Sequence, residues 1–261
     1  MPPPPPLLPR LSPSPHPLRA NGAPPSPGRT RSPALLTVVR AKAKDEASFT
    51  DRILDYIEVG FLVFQLVILA LILKRARIKA LVKDKRSTEE AFGTYVECMV
   101  GDMEDKSFTK KALKGVRAVI SPADDGFFSE LIDLKGVEHI ILLSQLVVYR
   151  SSGGLQAIMN SKLKKLAERD EEVVLASGIP STIIRTGSLQ STPGGEKGFD
   201  FTKGVAAKGR ISKEDAATIC VEALDGIPRK TFMFEVANGD EKVADWKAWF
   251  AEQIKGGEEI Q

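Results

Sequence analysis

A basic turn, Lys83-Asp84-Lys85-Arg86, follows a short apolar segment, Ile78 to Val82. At the end of the second strand of a nucleotide-binding sheet, an acid alone binds a ribose 2′-hydroxyl, whereas cations accommodate a 2′-phosphate. Lys83, Lys85 and Arg86 around Asp84 therefore favour NADP over NAD; a solvated charged turn is the alternative. Ahead of them lies an apolar run, Val59 to Leu73, closed by Lys74-Arg75-Ala76-Arg77. A strand, this helix and a second parallel strand make the opening βαβ unit of a dinucleotide-binding sheet. The phosphate turn of such a unit needs glycines, so that the backbone can approach the pyrophosphate at a helix N-terminus. Between Ile53 and Gln65 there is one, Gly60, and Phe61, Leu62 and Phe64 stand where side chains block that approach. Gly60 is thus the only candidate for the turn, and phosphate binding there is expected to be weak.

Other chemistry is poorly supplied. Cys98 and Cys220 are far apart, each in an apolar setting, and read as buried small hydrophobes. His16 and His139 are the only histidines. No metal site is expected, and a Ser-His-Asp triad has little to draw on.

The elements that must position these residues divide into two compositions. Thirteen of the 17 prolines precede residue 34, and residues 1–44 carry seven cations and no Asp or Glu. A basic, Ser- and Pro-rich, acid-free start reads as an organelle transit peptide, and its proline density favours the plastid. A disordered Pro-rich docking arm is the alternative. Val38-Val39-Arg40-Ala41 fits a processing region, leaving 45–261 as the folded domain. The chain's net +3, less the +7 of that segment, leaves −4 for the domain, so nucleic acid is not an expected partner.

Val59 to Leu73 is shorter than the about 20 residues a membrane-spanning helix needs. Extending it back to Ile53 takes in Asp55 and Glu58, both costly in lipid. A buried helix is favoured over a membrane anchor at 57–73. Beyond it, strands are expected at 78–82, 95–100, 116–120, 139–144, 181–185 and 232–236. Helices are expected at 106–114, 159–175, 213–224 and 245–254, with Ser87 and Ser212 as caps. The alternation of strand and helix predicts an α/β fold with a doubly wound parallel sheet.

The order of segments then resembles a known family. Ile78 to Asp84, Gly101-Asp102, Gly115 to Ile120, Ile141 to Ser144, Ser177 to Gly187 and Ile211 to Ala217 follow one another as in the atypical short-chain dehydrogenase/reductases. These are the NmrA-like NAD(P)-binding Rossmann-fold proteins, and the likeness is to their plant plastid members. The resemblance spans about residues 53–250 and is stronger for fold than for substrate. It implies that Asp102 meets the adenine amino group, that Ser121 lies near the cofactor, and that Thr186 and Gly187 pass its nicotinamide side. Related reductases pair a tyrosine with a lysine four residues on, which lowers the phenol's pKa so that it passes a proton while hydride moves. Ser144 and Tyr149 occupy such serine and tyrosine places, but position 153 is Gly. Lys165, on the following helix, is the candidate to reach back; a solvated lysine face is the alternative. The expected function is a plastid NADPH-dependent reductase of an unknown small substrate. A non-catalytic cofactor-sensing or interaction module, or a scaffold tethered through 57–73, is the alternative.

Overall fold

The structure, a computed structural model, describes residues 34–38, 50–82, 84–102, 105–124, 126–130 and 134–258. The elements are β1 (Ala34–Val38), α1 (Thr50–Leu73), β2 (Arg77–Leu81), α2 (Lys85–Phe92), β3 (Val96–Met99), α3 (Lys106–Ala112), β4 (Val116–Ser121), α4 (Phe127–Glu130) and β5 (His139–Ser144). Then come α5 (Leu146–Ser151), α6 (Gly154–Ala176), β6 (Ser181–Thr186), β7 (Ser188–Gln190), β8 (Gly198–Asp200), β9 (Arg210–Ser212), α7 (Lys213–Glu222), β10 (Thr231–Gly239) and α8 (Trp246–Glu258).

The main sheet runs β3-β2-β1-β4-β5-β6-β10-β8, parallel except for β8. All six residues of β5 are buried, as a strand covered on both faces must be. Alternation sends Ile141 and Leu143 to one face and Ile140 and Leu142 to the other. α1, α7 and α8 pack on the first face, and α3, α4 and α6 on the second. The doubly wound parallel sheet expected from the sequence is the observed fold.

α1 buries Val63, Phe64, Val67, Ile68 and Leu71, a stripe at helical spacing. It packs on α7, whose small buried residues Ala216, Ala217 and Cys220 lie in the same core. Burying side chains of this size stabilises the fold by about 1.5–3 kcal/mol each. On its other side Leu62, Leu69 and Leu73 are exposed. Among the described residues, no helix is long and apolar enough to cross a membrane.

Three expectations need correction. The strand ahead of α1 is β1, which pairs in parallel with both β2 and β4. It lies inside the stretch 1–44 set aside as a transit peptide, so the folded domain starts no later than Ala34; the rest of that stretch lies outside the described residues. β1 ends at Val38 and α1 starts at Thr50, so the turn between them comes before Thr50; residues 39–49 lie outside the described residues. Gly60 therefore sits inside a continuous helix and cannot belong to that turn. Finally, Asp84, not Ser87, caps α2: its carboxylate accepts from the N–H groups of Arg86 and Ser87. Ser212 caps α7 as expected, accepting from Asp215 N–H.

Candidate functional site

The chain runs outward from β1 through β2 to β3, then returns to β4 and continues through β5 and β6 in the other direction. In such a sheet the ligand crevice lies outside the carboxyl ends of the strands, where the order reverses. The strand termini decide what stands there.

On the outer side, Lys83 lies outside the described residues. Lys85 and Arg86 are exposed and pair with Glu89 and Glu90 one turn on, at 3.3 and 2.8 Å. Asp102 is exposed after β3, and its carbonyl accepts from Asp105 N–H at 3.2 Å.

On the inner side, polar groups are buried. Ser121 ends β4, and its hydroxyl donates to Ala123 O at 3.2 Å, closing the local turn. Three residues on, Asp124 is 1% exposed. Its Oδ2 accepts from the Gln145 N–H at 2.6 Å, and its Oδ1 has no hydrogen-bond partner. Ser144, fully buried at the end of β5, donates to Glu171 Oε1 at 2.8 Å and accepts from Leu146 N–H at 3.2 Å. Glu171 is held by Arg185 of β6 in a two-point pair, Nε to Oε1 at 3.1 Å and Nη2 to Oε2 at 2.6 Å. Beside Glu171 on α6, Asp170 Oδ2 accepts from Gly126 N–H at 2.9 Å.

Burial pushes the Asp124 carboxyl well above the usual carboxylate range. The Gln145 N–H acts against this, and the nearby Asp170 and Glu171 add to it. The hydrogen bond to Glu171 raises the Arg185 guanidinium, with burial acting the other way.

At the end of β6, Thr186 is fully buried and its hydroxyl has no hydrogen-bond partner. Gly187 O accepts from Gln145 Nε2 at 3.4 Å. A Cβ on Gly187 would lie 2.4 Å from the Gly209 carbonyl, so backbone packing alone already requires glycine there.

Ser144, Tyr149 and Lys165, expected to work together, have different surroundings. Tyr149 is buried in a small apolar cluster with Leu146 and Ala167, and its hydroxyl lies 3.5 Å from Gln145 Oε1. Lys165 is exposed on α6 and, among the described residues, makes no hydrogen bond or ion pair. A helix of six residues followed by a break at Ser152-Gly153 separates α5 from α6, so the tyrosine and the lysines do not share one helix face. Among the described residues no group of His, Cys, Asp and Glu could hold a metal.

Sequence inspection missed Asp124, Gln145, Glu171 and Arg185. One signal was present: Arg185 interrupts the apolar strand Ser181–Thr186, and a cation there demands a carboxylate from the covering helix.

Asp124 Oδ1, three residues beyond β4, and Thr186 Oγ1, at the end of β6, are buried polar atoms without hydrogen-bond partners, of the kind a polar ligand satisfies.

Residues 65–226 match the NAD(P)H-binding family. An uncharacterised chloroplastic protein of Arabidopsis thaliana is 27% identical over 67% of this chain and 66% of its own length. Sanguinarine reductase of Eschscholzia californica is 29% identical over 45% of this chain and 46% of its own length. The chain thus spans less than two thirds of either relative. Among solved structures, an anaerobillin reductase from Escherichia coli superposes with TM-score 0.62 at 15% identity, over 81% of this chain and all of the other. A short-chain dehydrogenase/reductase from Veillonella parvula, in complex with NADP, gives 0.56 at 15% identity, over 79% and 95%. These likenesses carry the fold, and the family match carries the cofactor class. The chain belongs to the NAD(P)H-binding family.

Proposed function

We propose that this protein is an NADPH-dependent reductase of a small carbonyl- or quinone-like compound, working in the plastid. The observation that carries it is the gathering of buried polar groups, Asp124, Ser144, Gln145 and Thr186, at the carboxyl rim beside the point where the strand order reverses. The reductases among its relatives and structural neighbours, and the chloroplastic relative, support the same reading.

Thr186 and Asp124 would hold the nicotinamide side, and Lys85 and Arg86 a 2′-phosphate. Exposed ion pairs such as Lys85–Glu89 and Arg86–Glu90 are worth under about 1 kcal/mol, so both cations can turn to a phosphate at little cost. When bound, the reduced nicotinamide supplies a hydride. Ser144 does not act as a free acid, because its proton is committed to Glu171. Glu171 and Arg185 fix the position of that hydroxyl.

Calorimetric titration tests this. NADPH is expected to bind roughly tenfold tighter than NADH, the value of one charge-assisted phosphate contact. The double variant Lys85→Glu, Arg86→Glu should lose that preference. A folded sample that gives no heat with millimolar NADPH ends the proposal. A second reading, a domain held at a membrane surface, is favoured by the exposed leucines Leu62, Leu69 and Leu73. Recovery of all the protein in the soluble plastid fraction removes it.

A further inference from the structure

Reduction of a carbonyl takes a hydride and a proton; Tyr149 is buried with its hydroxyl 3.5 Å from Gln145 Oε1, and Lys165 is exposed to solvent. We propose that Asp124 is the proton donor: its carboxyl carries a proton at the rim and passes it to the oxygen of the acceptor. This rests on the reductase reading above.

The argument is one of charge and partners. Asp124, Asp170 and Glu171 are all buried. Arg185 of β6 neutralises Glu171. No metal-binding group exists among the described residues. Among the described residues Asp124 receives the Gln145 N–H on Oδ2, the Ser144 proton being given to Glu171, and it faces two further acids on α6. An unpaired carboxylate in that setting is too costly to persist, so a proton takes the place of a counter-ion. The burial and like-charge effects that raise its affinity for that proton act in the same sense. Oδ1, buried and without a partner, is the oxygen free to carry it.

In the step itself, the carbonyl carbon gains the hydride and its two electrons. The Asp124 O–H bond breaks and an O–H bond forms on the substrate. The carboxylate left behind is reprotonated from water.

The test is proton linkage, which needs no substrate. The full chain is titrated with NADP⁺ and with NADPH at pH 7, in buffers of different ionisation heat. The cationic ring of NADP⁺ beside Asp124 should expel up to one proton per site, and neutral NADPH none. Asp124→Asn keeps the acceptor for Gln145 and should bind both nucleotides with no proton release. Glu171→Gln, which removes a nearby negative charge that raises Asp124 while keeping an acceptor for Ser144, should move the release to lower pH; it also serves if the asparagine variant does not fold. Infrared spectra supply an independent arm: a carboxylic-acid carbonyl band at neutral pH, absent in Asp124→Asn. Binding of both nucleotides with no proton-linked difference overturns the donor role alone. Absence of any binding overturns the reductase reading and the donor role with it, whatever the infrared band shows. A missing band in the wild type overturns the proposal directly.

Discussion

β5 carries an ionisable or polar group at each end, and the two ends are treated differently. At the amino edge, His139 is buried with Nε2 3.0 Å from Thr182 Oγ1 and Nδ1 without a partner. Burial, and then the nearby Arg117, lower it to about 4, so it is neutral at neutral pH. At the carboxyl edge, Ser144 donates to Glu171, which Arg185 holds, and the Asp124 carboxyl lies nearby on the Gln145 N–H. Both edges keep charge out of the core. The amino edge does so with one neutral ring against one hydroxyl, a packing solution. The carboxyl edge brings three acids and a guanidinium together, which apolar residues would have replaced at no loss of stability. A costly arrangement at one edge only is the mark of a working site.

The largest expected effect comes from breaking the costly edge. Arg185→Ala leaves Glu171 buried beside Asp170 and Asp124 without its cation. Removing one partner of such a pair costs about 3–5 kcal/mol. Urea unfolding should show it as a large drop in midpoint. Replacing Arg185 and Glu171 together, with Met and Leu, should restore most of the loss. If the single variant is as stable as the wild type, the pair is not what holds this rim.

The second effect separates the edges by pH. His139 has a folded value near 4 against about 6.5 unfolded, so the unfolded chain takes up more protons in between. The stability it contributes is present above pH 6.5 and is lost as pH falls towards 4, by about 3 kcal/mol in all. Asp124 has the opposite sign. Its folded value is raised, so its contribution is complete below the unfolded carboxylate value and is lost as pH rises through the folded one. His139→Gln should remove a rise in stability between about pH 4 and 6.5, and Asp124→Asn a fall that begins above the unfolded carboxylate value. The same flattening from both variants would mean that the edges are not independent.

Much of this fold can be read in the residues. Apolar runs such as His139–Ser144 and Ser181–Thr186, bounded by glycines and polar turns, mark buried parallel strands without any structure. β1 was hidden because its five residues follow a Pro-rich stretch and precede a basic one, so composition outweighed a short apolar signal. Gly60 was misplaced for the same reason: without β1, the phosphate turn had to be sought inside α1. The site was legible only in part. Ser121, Ser144 and Thr186 end strands, and a strand end can be counted. Asp124 and Glu171 lie in a loop and on a helix, and only the packing of α6 over β5 and β6 brings them together. The break between α5 and α6, which parts Tyr149 from Lys165 along the chain, is not predictable from spacing.

Glycines sharpen the comparison further. Gly187 at the carboxyl edge is required by packing, since a Cβ would meet the Gly209 backbone at 2.4 Å. Gly187→Ala should cost about 1–3 kcal/mol, because backbone cannot give way as a side chain does. It should also disturb the Gln145 Nε2 bond to Gly187 O, and so weaken NADPH binding along with stability. A stable variant with wild-type nucleotide affinity would show that this crossing is looser than the structure has it.

The amino edge leaves room for gain. Gly115, Gly136 and Gly178, ahead of β4, β5 and β6, all have positive φ. The turn ahead of β2 does the same with Arg75, at φ 57°. Ala76 N–H donates to Leu71 O at 3.0 Å and Arg75 N–H to Ile72 O at 2.8 Å, the paired bonds that close a helix through a left-handed residue. A side chain in that conformation costs about 1–2 kcal/mol, and glycine avoids it while losing some entropy from the unfolded chain. Arg75 is exposed and, among the described residues, holds no ion pair, so its head group gives nothing back. Arg75→Gly should therefore stabilise by about 0.5–1 kcal/mol, seen as a rise of a few degrees in Tm, with nucleotide binding unchanged. The neighbouring Lys74, whose ammonium reaches Glu222 at 2.8 Å and Asp225 at 3.0 Å, would still anchor the helix end on α7. A loss of stability instead would mean that the arginine stem covers apolar surface at this edge, and the two edges would then differ less than their charges suggest.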